Sequence, residues 1–328
     1  MKRRDFITLL GGAAAGWPLA APTAAVGQQQ TAKNPRIGFL YGGVSEGLAL
    51  RVNQFLEGVR GIERNRIELV SRVAEGNPAR LPALAIEIVA QKVDVLFAAG
   101  PAAVRAAHSV AQGPSVVGLD LETDPVQSGL ISSLSRPGGN LTGVFFDFPD
   151  FSTKWLELLR EVLPQLSRLA VLWDPSTGPV QLHAVEKTAV SMGLRLQVIE
   201  VKEPNNLEEA VRTAQKENAE ALLLLSSPIF GSHPATSAKF ALESRFPAIT
   251  MFPEFAQTGG LMAYGPNIGE LYRQAGAMVA KVLAGAVPAD LPIERPVRFQ
   301  LVINLKTAKA LDLDVPWFLQ QRADQVIE

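Results

Sequence analysis

The sequence predicts an α/β fold in which two lobes of like topology, each a parallel sheet with helices on both faces, share one cleft. Three observations lead there. Short apolar runs alternate with stretches of helical periodicity from Pro35 onward, part of the chain recurs at a fixed offset, and 328 residues with 47% hydrophobic content can fill two cores. With 31 Lys and Arg against 32 Asp and Glu and no basic block, little is gained from phosphate counterion release, so no nucleic-acid partner is expected. The chain has no cysteine, which excludes disulfides, thiolate metal sites, thiol nucleophiles and lipid attachment through a thiol.

The amino terminus reads differently from the rest. A basic head with consecutive Arg3 and Arg4 and Phe6 precedes an apolar run from Leu9 to Ala21, followed by small residues around Ala24, Ala25 and Gly27. This is the three-part layout of an export signal, and the paired arginines resemble a twin-arginine signal. The run is shorter than the ~20 residues of a spanning helix, and Gly11, Gly12, Gly16 and Pro18 make it a poor core helix. Residues 1–27 are therefore expected to be a twin-arginine-type signal peptide that sends the chain to the periplasm without a lipid anchor. Its removal takes away Lys2, Arg3, Arg4 and Asp5, moving the formal charge from −1 to −3.

The mature chain follows a regular order. Ile37 to Tyr41 reads as a buried strand, and Leu48, Val52, Phe55, Leu56, Val59 and Ile62 then recur at helix spacing. A strand at Ile67 to Val73 leads to a helix with Leu81, Leu84, Ala85, Ile88 and Val89 on one face, and then to a strand at Val93 to Ala98. Further strands are expected at 115–119, 141–146, 169–173, 194–201, 219–225, 248–252 and 261–264. The segment Arg36–Tyr41 (RIGFLY) returns 132 residues later as Arg168–Trp173 (RLAVLW), and at the same offset the strand ending at Glu122 has a counterpart ending at Glu254. Duplicated lobes explain both matches.

Ligands of open α/β sheets bind beyond the carboxyl ends of the strands. The first lobe then offers Tyr41, Gly42 and Gly43, the loop Gly100, Pro101 and Ala102, and Asp120 with Glu122. The second offers Trp173, Asp174, Ser176 and Thr177, then Ser226, Ser227 and Phe230, then Phe252 and Glu254. Phe146 and Asp147 lie on the crossing between lobes and Tyr264 on the return. Gly100 to Ala102 opens a helix, where free N–H groups can receive a carboxylate. The serines and Thr177 supply hydroxyl donors, while Asp120, Glu122, Asp124 and Glu254 could hold an ammonium group. Tyr41, Phe146, Trp173, Phe230, Phe252 and Tyr264 could make a stacking wall.

Catalytic and cofactor motifs are weaker. Gly43 to Gly47 fits G-x-S-x-G, yet it follows the first mature strand, and none of His108, His183 and His233 lies late in the chain as the hydrolase order requires. A strand-to-helix turn with Ser45 near the helix start is the simpler reading, and a secreted serine hydrolase is the remote alternative. No metal-ligand spacing, P-loop or G-x-G-x-x-G is present, so no metal, cofactor or enzymatic activity is expected.

Several segments carry a resemblance: Asp124-Pro125-Val126, residues 135–143 (SRPGGNLTG), 170–175 (AVLWDP), 259–266 (GGLMAYGP) and 301–311 (LVINLKTAKAL). From about Arg36 to Glu328 the chain resembles the ABC transporter substrate-binding protein family that includes TrpX-like tryptophan and tyrosine binders. The resemblance implies a type I periplasmic binding protein with two Rossmann-like lobes joined by a three-strand hinge. Lobe 1 would span 33–146 plus about 265–297, lobe 2 149–256 plus about 299–328, with Arg298 to Ile303 as the third crossing. It implies a monomeric solute-binding protein of an ABC importer that captures an amino acid, aromatic or otherwise, or another small carboxylate by hinge closure. Its partners would be a small-molecule ligand and an inner-membrane permease with its ATPase. A sensor presenting ligand to a membrane receptor would use the same lobes. The loop Ala98 to Ala102 departs from the family in lacking the hydroxyl that relatives often carry there.

Overall fold

Two sheets organise the chain, and their central strands are too apolar to leave either face in water. The computed structural model describes residues 34–45, 48–110, 113–146 and 148–328, with Asn34–Glu328 as one unit. The signal expected over residues 1–27 and the candidate Asp147 lie outside the described residues. The first part runs β1 (Arg36–Tyr41), α1 (Leu48–Gly58), β2 (Glu68–Val73), α2 (Leu81–Ala90), β3 (Val95–Ala99), α3 (Pro101–Ser109), β4 (Ser115–Asp120) and β5 (Leu141–Phe145). Next come α4 (Phe148–Val162), β6 (Arg168–Trp173), α5 (Val180–Ser191), β7 (Arg195–Glu200), α6 (Leu207–Lys216), β8 (Ala221–Leu224), α7 (Pro228–Ser232), α8 (Pro234–Glu243), β9 (Ala248–Thr250), α9 (Pro253–Gln257) and β10 (Met262–Pro266). The last elements are α10 (Ile268–Leu283), β11 (Phe299–Asn304), α11 (Leu305–Ala310), α12 (Trp317–Arg322) and β12 (Gln325–Ile327).

The first sheet has the order β2-β1-β3-β4-β5 and is parallel throughout. The second, β12-β11-β10-β9-β8-β6-β7, contains the same order as β7-β6-β8-β9-β10 and extends it by two strands. β11 runs antiparallel to β10, a departure from the all-parallel expectation. The chain leaves the second sheet after Pro266, gives α10 to the first, and re-enters at the same end, where Pro266 pairs with Phe299. Within the segment Arg298 to Ile303, expected as the third crossing, residues 299–303 form part of strand β11. Before β11, Glu294 accepts the Phe145 N–H at 3.0 Å and donates its own to Gly143 O at 2.9 Å, covering the β5 edge.

Helix α10 packs against α1 and against β3, β4 and β5. The approach to α1 is close: a Cβ on Gly276 would stand 2.1 Å from Phe55 O, and one on Gly58 1.9 Å from Arg273 O. The apolar spacing that predicts a helix through Ile62 is interrupted at Gly58, where α1 ends; Val59 and Ile62 still pack on the core from the following turn. Beneath α1 and α10, Phe39, Phe55 and Phe97 form an aromatic cluster with centroids 4.6 to 5.4 Å apart, joined by Tyr272. At the hinge the fully buried Trp155 donates its indole N–H to Tyr264 O at 2.7 Å, tying α4 to β10.

Gly276→Ala is expected to destabilise the protein by about 1–3 kcal/mol, because a methyl group there overpacks a backbone contact. Equilibrium denaturation reads this as a lower midpoint at unchanged slope; an unchanged midpoint would show that the two helices separate without cost.

Candidate functional site

In each sheet the connections diverge to opposite sides at one point, between β1 and β3 and between β6 and β8, and such a point leaves a crevice beyond the strand ends. The two crevices face each other. Gly100, at φ 97°, lets β3 pass directly into α3, and a Cβ there would lie 3.8 Å from Pro228 of the other lobe. A cavity of about 590 Å³, counting the space at its mouth, lies between them. Its first-lobe wall includes Tyr41, Gly43, Arg51, Gly100 and Glu122, with Ile268 and Tyr272 from α10; its second-lobe wall is Ser227, Pro228, Gly231, Ser232 and Phe252. An adjoining cavity sets Gly42, Pro101 and Ala102 against Asp174 and Ser176.

The lobes touch across this cleft at several polar points. Arg51 Nη2 lies 2.9 Å from Glu254 Oε1, and its guanidinium sits 5.7 Å from the Tyr272 ring centroid. Ser226 Oγ is 2.5 Å from Glu122 Oε1, Arg105 Nη2 donates to Ser176 O at 3.0 Å, and Tyr41 hydrogen-bonds to Ser232. Burial opposes the charge on Arg51, but the Glu254 carboxylate overrides it and holds the guanidinium above its ordinary pKa. Burial pushes Glu122 up to about 8, with the neighbouring Asp120 charge adding to the shift, and burial raises Asp120 as well. Tyr41, Tyr272 and Asp174 are raised chiefly by burial, so both tyrosines present neutral hydroxyls.

Not every residue expected at the cleft serves it. Trp173 donates its indole N–H to Gly178 O and packs on the core, Phe230 is 2% exposed inside the second lobe, and Thr177 bonds back to Asp174 O at 2.7 Å. Local chain geometry causes this, since Asp174 and Ser227 cap the turns that follow their strands. Ser227 Oγ accepts the Ile229 N–H at 3.1 Å, and Asp174 Oδ1 the Ser176 N–H at 2.9 Å. Phe146 and Tyr264 line a separate cavity at the hinge with Phe151 and Phe299. Asp120 is wholly buried behind Glu122. Arg51, Ser232, Ile268 and Tyr272 were not anticipated, because they lie on helices and strand-end reasoning looks only at loops. The one sequence signal was an arginine inside the apolar face of α1, beside Val52. Ser45, the centre of the G-x-S-x-G match, turns both its N–H and its hydroxyl to the Glu75 carboxylate. Among the described residues no group of three His, Asp or Glu could hold a metal ion, and no helix is long and apolar enough to cross a membrane.

Two doubly wound lobes of matching strand order, meeting at their switch points around a shared cavity, define the type I periplasmic binding protein class. The chain belongs to the ABC transporter substrate binding protein family, whose sequence pattern matches residues 39–327. It is 24% identical over 251 residues to a tyrosine-binding protein of Clostridioides difficile (strain R20291), covering 76% of this chain and 72% of that relative. Among solved structures, it is similar to an ABC domain from Streptococcus pneumoniae in complex with L-Trp, with TM-score 0.82 and 24% identity over 90% of this chain and all of that one. A ligand-free, open substrate binding protein with adhesive properties from Clostridium difficile aligns at TM-score 0.65 and 21% identity, over 90% of this chain and 99% of that one.

The Arg51–Glu254 pair is half-buried, with side chains 16% and 36% exposed. It falls between exposed pairs, contributing about 0–1 kcal/mol, and buried ones, whose rupture costs about 3–5 kcal/mol. A double-mutant cycle with Arg51→Met and Glu254→Gln, read by thermal unfolding, is expected to give a coupling of about 1–2 kcal/mol. Additive effects would mean that the two lobes gain nothing from this contact.

Proposed function

We propose that the protein is the ligand-capturing component of an ABC importer and that its ligand is an α-amino acid with an aromatic side chain. The observation that carries this reading is the lining of the cleft: Glu122 and Arg51 offer opposite charges, and Tyr41, Phe252 and Tyr272 supply aromatic faces beside them. A zwitterion with a flat apolar side chain matches that set, the ammonium group meeting Glu122 and the carboxylate meeting the Ser232 hydroxyl or an Arg51 that exchanges Glu254 for it. The tyrosine-binding relative and the L-Trp complex support the same ligand class.

In this reading the first lobe ends near residue 146 and takes α10 and the segment up to the return crossing, while the second holds the rest. Ligand entering the open cleft contacts both lobes only when they close, so its binding energy shifts the hinge equilibrium toward the closed form. A permease in the inner membrane reads that form, and its ATPase supplies the energy. No covalent step is needed. Export through the signal expected at residues 1–27 releases a monomer into the periplasm.

Titration calorimetry with L-tryptophan, L-tyrosine and L-phenylalanine, alongside tryptamine and indole-3-propionate, tests the assignment. At least one of the three amino acids is expected to bind, and removal of its ammonium or carboxylate to weaken binding tenfold or more. If none binds while aliphatic or acidic amino acids do, the aromatic assignment is wrong.

A further inference from the structure

Asp120 and Glu122 stand together at the end of β4 and both are buried, Glu122 against the interlobe cavity and Asp120 behind it. Asp120 Oδ1 accepts the N–H groups of Glu122 and Thr123 at 2.9 and 3.0 Å, whereas Oδ2 is buried without a hydrogen-bond partner. Glu122 Oε2 receives the Leu121 N–H at 3.1 Å, and Oε1 faces the Ser226 hydroxyl across the cleft at 2.5 Å. Ser226 is clamped from its own lobe, since Gln181 Oε1 accepts its N–H and Gln181 Nε2 donates to its carbonyl, both at 2.7 Å. The hydroxyl therefore reaches Glu122 only while the lobes are together.

The groups around the pair do not neutralise it. Arg105 on α3, which donates to Ser176 O, acts on Asp120 from a distance and is outweighed by burial, and Arg51 on α1 is paired with Glu254 of α9. Tyr272 on α10 and Tyr41 at the end of β1 are neutral hydroxyls, and Asp174 across the cleft is itself an acid. Two carboxylates in contact and out of water cannot both keep their charge at ordinary pH.

We propose that lobe closure builds a site for one monovalent cation at Asp120 and Glu122, and that a proton fills it when the cleft is empty. An ammonium-bearing ligand takes the proton's place; that half alone rests on the amino-acid reading above. Opening the cleft rehydrates Glu122 and returns it toward its ordinary 4.5 from about 8. Between those values the closed form holds one proton more than the open form. Closure is therefore favoured at low pH, and the closed-to-open ratio falls by up to tenfold per pH unit as pH rises through this window.

Small-angle scattering of the full chain without ligand, from pH 5 to 9, reads the change directly. The radius of gyration is expected to grow as pH rises, and Glu122→Gln, neutral throughout and still able to bond Ser226, is expected to remain closed over the whole range. A wild-type radius that does not respond to pH, or a response that persists in Glu122→Gln, overturns the proposal. Asp120→Asn decides the matter if Glu122→Gln does not fold: the response should narrow and move to lower pH, and an unaltered response would rule out the pair. Adding L-tryptophan at pH 8.5 separates the two readings. Closure by tryptophan supports the ammonium half; failure to close with the proton response intact removes the amino-acid reading and leaves the proton site standing.

Discussion

The fold depends on one exchange: α10 belongs by chain order to the second half and by packing to the first. Phe39, Phe55 and Phe97 would otherwise present an aromatic face to water, and burying large apolar rings is among the strongest single contributions to a core. The exchange works because Gly58 and Gly276 let two helix backbones come within a distance no side chain would allow. Its consequences spread outward. The chain must cross between lobes before and after α10, which creates the hinge with the β5 to α4 passage, and must re-enter the second sheet from the hinge end, which makes β11 antiparallel. Tyr272 and Ile268 reach the cleft wall only because α10 is there.

The cleft is poised by polar contacts that nearly cancel. Each hydrogen bond across it exchanges protein–water for protein–protein contacts and so nets about 0.5–1.5 kcal/mol. Arg51 and Glu254 add a partly desolvated ion pair, while Asp120 and Glu122 subtract through mutual repulsion. Moving a two-state hinge from mostly open to mostly closed requires about 5.5 kcal/mol of differential binding. On the proposed ligand-capture reading, a few cross-cleft contacts offset by a buried acidic pair keep the empty protein near that balance, so that a small ligand decides the outcome. A cleft lined only by well-matched apolar faces would stay shut.

Much of the architecture was legible in sequence because burial on both faces of a parallel strand writes itself as a continuous apolar run. The RIGFLY and RLAVLW segments are such runs, and they proved to be β1 and β6, the same position in two sheets of one strand order. The site was legible in part. Strand-end reasoning named Tyr41, Gly100, Glu122, Ser227 and Phe252, and these line the cavity between the lobes, since those positions follow from topology alone. It could not tell which hydroxyls are consumed by turns: Thr177 donates to its own backbone at Asp174 O, and Ser227, although it lines the cavity, accepts the N–H groups of Ile229 and Phe230. It also passed over Arg51 and Tyr272, because a helix contributes to a cleft through its packing angle, which no local pattern encodes.

The duplication explains why the cleft is electrically lopsided. Glu122 and Glu254 occupy equivalent positions 132 residues apart, just beyond the fourth strand of each lobe's repeat, and both turn toward the opposite lobe. Their partners differ. Glu254 meets Arg51, a cation carried on α1, whereas Glu122 meets Ser226, a hydroxyl carried on the strand-end loop after β8. The first arrangement pairs its acid with a cation, and the second leaves an acid beside another acid, with hydrogen-bond donors at hand and Arg105 as a more distant cation. Approximate symmetry of backbone thus yields one carboxylate paired with a cation and one paired with a hydroxyl. On the proposed reading, a proton supplies the second one's missing positive charge while the closed cleft is empty, and a cationic group of the ligand supplies it once the cleft is filled.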